Sequence, residues 1–356
     1  MIISRTPFRI SFFGGGTDYP VWFREHGGAV LATTIDKYCY ISCRYLPPFF
    51  EHKSRIAYSR IEQAKSNDEI KHPAVRGVLQ HMGITDGLEI HHDGDLPART
   101  GLGSSSSFTV GLLHSLYALK HMMPTKIELA RAAIHIEQEV LRESVGCQDQ
   151  VLAAHGGLCR VDFSPSGDIG YTSIVMKPER LADFQDHLQL YFTGFSRTAS
   201  EIAKEQIEKT KHRRVELFAM LQMVQEGVSI IAGERDLSEF GELLHEAWMV
   251  KRGLTSQITT PMIDDIYDAA QRAGALGGKL LGAGGGGFML FFAKPEVHQK
   301  IHAAVPGLLR VPFRFEGLGS QIVFYQQETP IVRDFGWTDE QTSAAGRSSV
   351  SMEEAA

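Results

Sequence analysis

Cysteine is scarce. The 356 residues hold four, Cys39, Cys43, Cys147 and Cys159, and no pair stands in a C-x-x-C arrangement. So few thiols in so long a chain exclude a disulfide framework and the common zinc spacings, and they fit a reducing cytoplasm. Charge of one sign is not in large excess: the net charge is -6, which argues against a general nucleic-acid binder. The basic run KTKHRR at 209–214 lies in a charged helical stretch and reads as a solvated helix face. No apolar run approaches the roughly 20 residues that span a bilayer, and MIISRTPFRI carries no signal-peptide pattern, so no membrane partner is expected. Apolar residues at 43% and charged residues at 22% are the values of a globular chain, and the length suffices for two domains with real cores.

Residues 2–13 read as a strand ending in three glycines, and 29–45 as a strand or hairpin rich in β-branched and aromatic residues. The polar stretch 47–72 reads as an irregular surface excursion. A short strand is expected over 88–97, then helices over 104–121 and 125–143. The domain junction is placed within 165–185, dividing the chain into 1–175 and 176–327. In the second half a strand begins near 187, helices follow over 198–232, 236–251 and 261–274, and FMLFFA at 288–293 reads as a strand. Residues 328–356 lack apolar periodicity and read as a disordered tail. Strands and helices alternate irregularly, which points to α+β layers rather than a doubly wound sheet.

GLGSSSSFTV at 101–110 sets two glycines and four serines directly against a helix as apolar as any in the chain. Small residues let ligand atoms approach the backbone. The first N–H groups of a following helix have no intrahelical partner and carry partial positive charge, so they form an anion site. A serine N-cap after a glycine turn is the other reading of the loop alone. No GK[ST] follows, so this is not the common P-loop.

Two acids lie downstream. Glu137 falls on the apolar stripe of Ile127, Ala130, Ala133, Ile134 and Leu141. A carboxylate there must meet a cation or a donor, and a buried pair with arginine is one alternative. Asp149 follows in GCQDQ, where it could take a proton from a hydroxyl or cap the next helix.

Three segments, PFRISFFGGGTDYP at 7–20, LPARTGLGSSSSF at 96–108 and GGKLLGAGGGGF at 277–288, resemble in order and spacing those of the GHMP kinase superfamily. The resemblance implies a two-domain α+β GHMP kinase fold with its active site in the interdomain cleft, and ATP with Mg²⁺ as cofactors. It implies that Gly101, Leu102, Gly103, Ser104, Ser105, Ser106 and Ser107 wrap the ATP phosphates. Ser105 matches the serine that ligates Mg²⁺, with Ser104 or Ser106 as substitutes in such a run, and Glu137 matches the second ligand. Asp149 matches the base near the acceptor hydroxyl. Arg9 and Asp18 match the galactokinase arginine near the reacting oxygens and the aspartate that binds the sugar. Thr17 precedes that aspartate, and Gly284 and Gly285 belong to a loop that shapes the cleft.

Galactokinases carry Glu-His where this chain has Gly15 and Gly16, so two sugar contacts are missing and galactose is doubtful. GGGTDYP, TGFSRTAS at 193–200 and the third glycine motif are most similar to the D-glycero-D-manno-heptose 7-phosphate kinases, which phosphorylate the anomeric oxygen for surface polysaccharide synthesis. A sugar phosphate needs a cation; Arg197 is the first candidate, Lys279 and Arg24 the next, and an ion pair is the other reading of Arg197. The alternatives are an anomeric kinase for a free sugar of the fucose or galactose type and a non-catalytic sugar or nucleotide binder. The partners expected are ATP and a small sugar phosphate, with the chain a monomer or homodimer.

Overall fold

The computed structural model describes residues 1–327 apart from 48, 99, 195–198 and 211–212. The tail from 328 onward, and Arg197 with it, therefore lie outside the described residues.

The first half runs β1 (Ile2–Phe13), α1 (Pro20–His26), β2 (Gly28–Tyr45), β3 (Ser54–Ala57), β4 (Ile61–Ala64), α2 (Pro73–His81), β5 (Leu88–Gly94), α3 (Ser104–Leu119), α4 (Lys126–His135), α5 (Gln148–His155), β6 (Cys159–Phe163) and β7 (Ile169–Ser173). The second half runs α6 (Pro178–Asp186), β8 (Leu188–Gly194), α7 (Ala199–Lys209), α8 (Arg214–Ala232), α9 (Ser238–Arg252), α10 (Pro261–Arg272), β9 (Gly277–Leu280), β10 (Gly287–Phe292), α11 (His298–Ala304), β11 (Leu309–Val311), β12 (Phe315–Glu316) and β13 (Gln321–Tyr325).

Two sheets result, one of nine strands with β13-β1-β2-β5-β3-β4 as its main path, and one of four in the order β11-β8-β10-β9. Helices pack on both, giving the α+β arrangement expected. The polar stretch 47–72 is more regular than its composition suggests: it holds the hairpin β3–β4, and β3 adds parallel to β5. The division at 175/176 is not respected by the sheets, because β12 pairs with β2 and β13 pairs with β1. Strand pairing is a long-range event that local sequence does not announce.

β1 is buried along nearly its whole length because it is covered on both sides. α3 and α5 pack on it, and α8 and α9 meet its end. The fit to α3 is close. A Cβ on Gly111 would stand 2.8 Å from Thr6 Oγ1, and the Ser4 hydroxyl donates to the Gly111 carbonyl at 2.8 Å. α8 is long and apolar enough to cross a membrane by length and composition. Its Leu217, Met220, Val224, Ile230 and Ile231 are buried at helical spacing, and Gly227 sits against the Phe13 ring, so that face belongs to the core.

Candidate active site

Four short segments meet at the end of β1. Arg9 is the first. It is 6% exposed, and its backbone N–H donates to the Leu102 carbonyl at 3.0 Å, tying the glycine loop to the strand. Ser107 adds a second tie, its hydroxyl donating to the Pro7 carbonyl at 2.9 Å. The Arg9 guanidinium grips Asp149 with two parallel hydrogen bonds, Nε to Oδ1 at 2.7 Å and Nη2 to Oδ2 at 2.8 Å. Such forked pairs fix geometry as well as charge.

The loop lies over this pair. Gly103 caps α3 in the left-handed region at φ 75°, and no side chain caps the helix. A Cβ there would stand 3.2 Å from Arg9 Cγ and 3.3 Å from Asp149 Oδ2. The N-terminus of α3, with its positive dipole end, thus lies beside the charged pair.

Behind the loop, Glu137 is fully buried. α4 does not continue regularly past His135; a π turn, Ile136–Val140, follows. Glu137 Oε2 accepts from the Ser106 hydroxyl at 2.8 Å and from Gln150 Nε2 at 2.5 Å. The Thr109 hydroxyl is near, but it donates to the Ser105 carbonyl at 3.3 Å, and Oε1 is left without a donor. Burial pushes the Glu137 carboxyl up to about 7, against the pull of Thr109, Ser106 and Gln150. The serine that meets Glu137 is therefore Ser106, while Ser105, one residue earlier on the helix, is exposed. These oxygens fit a hard cation: a hydroxyl, a carboxylate with one unused buried oxygen, and a neighbouring anion site that would supply phosphate oxygens.

On the other side stands Asp18, 1% exposed. Its Oδ1 accepts from Gly16 N–H at 3.0 Å and its Oδ2 from Gln148 N–H at 3.2 Å. Burial raises its pKa, the Asp149 charge raises it further, and the two backbone donors oppose both. Thr17 holds the turn: it is fully buried, and its hydroxyl donates to the carbonyls of Gly14 and Ala29 at 2.8 and 2.9 Å. A Cβ on Gly15 would meet Gln148 Nε2 at 3.8 Å, an ordinary contact, whereas Gly16 sits at φ 103°.

The third glycine run packs directly on the first. A Cβ on Gly101 would lie 2.4 Å from the Leu281 carbonyl oxygen, and one on Gly287 would lie 2.3 Å from that of Thr100. Gly284 and Gly285 turn away at φ 138° and 77°, and Gly285 N–H donates to Ile258 O at 3.0 Å. The halves of the chain therefore meet backbone to backbone at the first glycine loop.

Several residues at the site escaped the sequence reading. Lys251 is buried and donates to the carbonyls of Leu280 and Gly282 at 3.1 and 2.6 Å, fixing the third glycine loop from below. Burial, and secondarily the Arg9 charge, lower its pKa to about 7. Its signal was present: it extends the core stripe of Phe240, Leu244, Ala247 and Trp248. Tyr19 is within reach of the charges of Asp18, Asp149 and Arg9, and burial raises its hydroxyl well above the usual range. Lys279, expected as a phosphate-binding candidate, is consumed structurally. Its ammonium donates to the carbonyls of Ser11 and Phe12 at 2.9 and 2.7 Å, joining the two halves. Arg24 is exposed and donates to the Ser166 carbonyl at 3.1 Å.

Residues 69–157 match the GHMP kinases N terminal domain, and residues 229–307 match the GHMP kinases C terminal domain. The chain is 27% identical over 307 residues to D-glycero-alpha-D-manno-heptose 7-phosphate kinase of Campylobacter jejuni, covering 83% of this chain and 90% of that protein. It is 24% identical over 324 residues to the bifunctional fucokinase/GDP-fucose pyrophosphorylase of Arabidopsis thaliana, covering 83% of this chain and 30% of that one. Among solved structures, a D-glycero-D-manno-heptose 1-phosphate kinase from Bacteroides thetaiotaomicron superposes with TM-score 0.73 at 24% identity, covering 92% of this chain and all of that one. Galactokinase from Lactococcus lactis gives 0.68 at 17% identity, covering 90% and 94%.

Proposed function

Since the chain belongs to the GHMP kinases and is an ATP-dependent phosphotransferase, we propose that its acceptor is the anomeric hydroxyl of a sugar that already carries phosphate, D-glycero-D-manno-heptose 7-phosphate in the first instance, giving the 1,7-bisphosphate. The observation that carries the chemistry is Asp149 held by both arms of Arg9 beneath the glycine loop. The choice of sugar is supported by the heptose 7-phosphate kinase of Campylobacter jejuni, which aligns over 90% of its length, and by glycines at 15 and 16.

Phosphoryl transfer asks mainly for alignment and charge neutralisation. The γ-phosphate sits at the N-terminus of α3, where the helix dipole and the small glycine-serine loop favour its negative charge. Asp149 accepts the proton of the anomeric hydroxyl. That oxygen bonds to the γ-phosphorus as the bond to the β-phosphate oxygen breaks and ADP leaves. Arg9 holds Asp149 aimed through the two hydrogen bonds, and its positive charge faces the developing negative charge. Asp18 is fixed by two backbone donors and holds the sugar hydroxyls. Ser106 and Glu137 would hold a Mg²⁺ ion, which supplies charge neutralisation on the phosphate oxygens when bound. Arg197 is the proposed cation for the sugar's own phosphate. All four cysteines are buried thiols outside any disulfide, in keeping with a cytoplasmic role in nucleotide-sugar supply.

The test is ADP release with Mg·ATP against heptose 7-phosphate, mannose 6-phosphate, fucose and galactose. Turnover with heptose 7-phosphate alone supports the reading; turnover with only a free sugar replaces it with a fucose- or galactose-type kinase.

A further inference from the structure

A second cavity, ≈ 480 Å³ in volume, opens away from the glycine loops, where the edge strand β11 and its neighbour β8 meet Asp36 and Lys37 of β2. Its volume is in the range that encloses a small metabolite. Gln189 lines it and is 2% exposed. The Gln189 Oε1 faces the Tyr191 hydroxyl at 3.5 Å, and its Nε2 is buried with no acceptor. A buried donor left without an acceptor is unfavourable unless a ligand or water completes it.

Three cationic side chains line the same cavity. Arg310 and Arg314 are exposed, and among the described residues neither guanidinium has a salt bridge or side-chain hydrogen bond. The third cation, Lys37, is tied to Asp36 at 3.2 Å, and Asp36 also accepts from Arg314 N–H at 2.8 Å. Among the described residues, the donors available at this site thus include two guanidiniums and one buried amide. Guanidiniums match phosphate oxygens in charge and in fork geometry. The cavity is larger than phosphate alone requires, and Asp186 on its wall offers carboxylate oxygens suited to sugar hydroxyls.

We propose that this cavity is a second, non-catalytic binding site for a phosphorylated sugar, with the phosphate held by Arg310, Arg314 and Gln189 Nε2. The site draws residues from both halves of the chain. On β2, Asp36 follows closely on Thr34, which pairs in register with Arg9. Occupancy would therefore brace the same two halves whose glycine loops meet at the catalytic site. This proposal does not depend on which sugar the kinase phosphorylates.

Hydrogen–deuterium exchange of the full chain tests it, with mannose 6-phosphate and inorganic phosphate as separate probes. β11 is an edge strand, so its outward amides report directly on the cavity. Mannose 6-phosphate should slow exchange over 309–314 about fivefold or more at concentrations where inorganic phosphate has little effect. Arg310→Ala combined with Arg314→Ala should abolish that protection, and both side chains are exposed, so folding is preserved. Gln189→Met should weaken it about tenfold. Protection confined to 101–107, protection unchanged in the double variant, or equal protection by inorganic phosphate would each overturn the proposal.

Discussion

Arg9 and Asp149 lie 140 residues apart in sequence, yet they share two hydrogen bonds of 2.7 and 2.8 Å under the glycine-serine loop. Asp149→Asn keeps the shape and removes the proton acceptor. It is expected to lower kcat about a thousandfold while the affinity for Mg·ATP, measured by calorimetry, stays near that of the wild type. Near-normal kcat would remove Asp149 from the chemistry. Arg9→Lys is not conservative here, because an ammonium cannot make the fork.

Gly146 is where the loop before α5 passes Asp18. A Cβ there would stand 1.9 Å from Asp18 Oδ2. Gly146→Ala must therefore displace the carboxylate, and displacements of about 1 Å at a reacting centre cost roughly a hundredfold in rate. The expected result is a fall of that order in kcat/KM for the sugar, with ATP binding retained. An unchanged kcat/KM would show that Asp18 does not position the acceptor.

Glu137, proposed as a metal ligand, is buried at a cost to the fold. Its carboxyl is raised to about 7 by burial, and Oε1 has no donor. A raised carboxylate pKa means that the fold loses stability as pH rises from the unfolded value through 7. Glu137→Gln should lower activity about a hundredfold or more, yet at pH 8 without metal or nucleotide its melting temperature should equal or exceed that of the wild type. A drop of several degrees would make Glu137 a structural residue instead.

Glu89 shows the opposite sign. Burial works to raise its pKa, but hydrogen bonds from His91, Arg55 and Arg44 prevail and hold it at about 2. A depressed carboxylate contributes stability above its ordinary value of 4.5 that is lost as pH falls toward 2. Glu89→Gln should lower the melting temperature at pH 7 by several degrees, the effect of breaking a buried ion pair. That gap should narrow on acidification. A gap independent of pH would mean that the loss is one of packing alone.

The glycine-serine loop before α3 was legible because only small residues suit its close approaches, and the apolar helix behind it follows from its own composition. Glu137 was legible as a carboxylate on an apolar stripe. Which serine meets it was not, because four consecutive serines leave the phase of the helix open and the facing residue sits on a π turn. Ser106 rather than Ser105 is the outcome. Lys251 also stood on an apolar stripe, but a lysine stem passes for a solvated one until its ammonium is seen on the Leu280 and Gly282 carbonyls. The hairpin β3–β4 was hidden by its polar outward positions, and the return of β12 and β13 to the first sheet by the distance over which strands pair.

The measurement that bears most directly on the central claim is proton-coupled phosphorus NMR of the product made from Mg·ATP and D-glycero-D-manno-heptose 7-phosphate. The account predicts ADP together with a new phosphate signal split by the single proton on the anomeric carbon, beside the retained 7-phosphate. No such signal with the heptose phosphate, and an anomeric phosphate formed instead on free fucose or galactose, would contradict it.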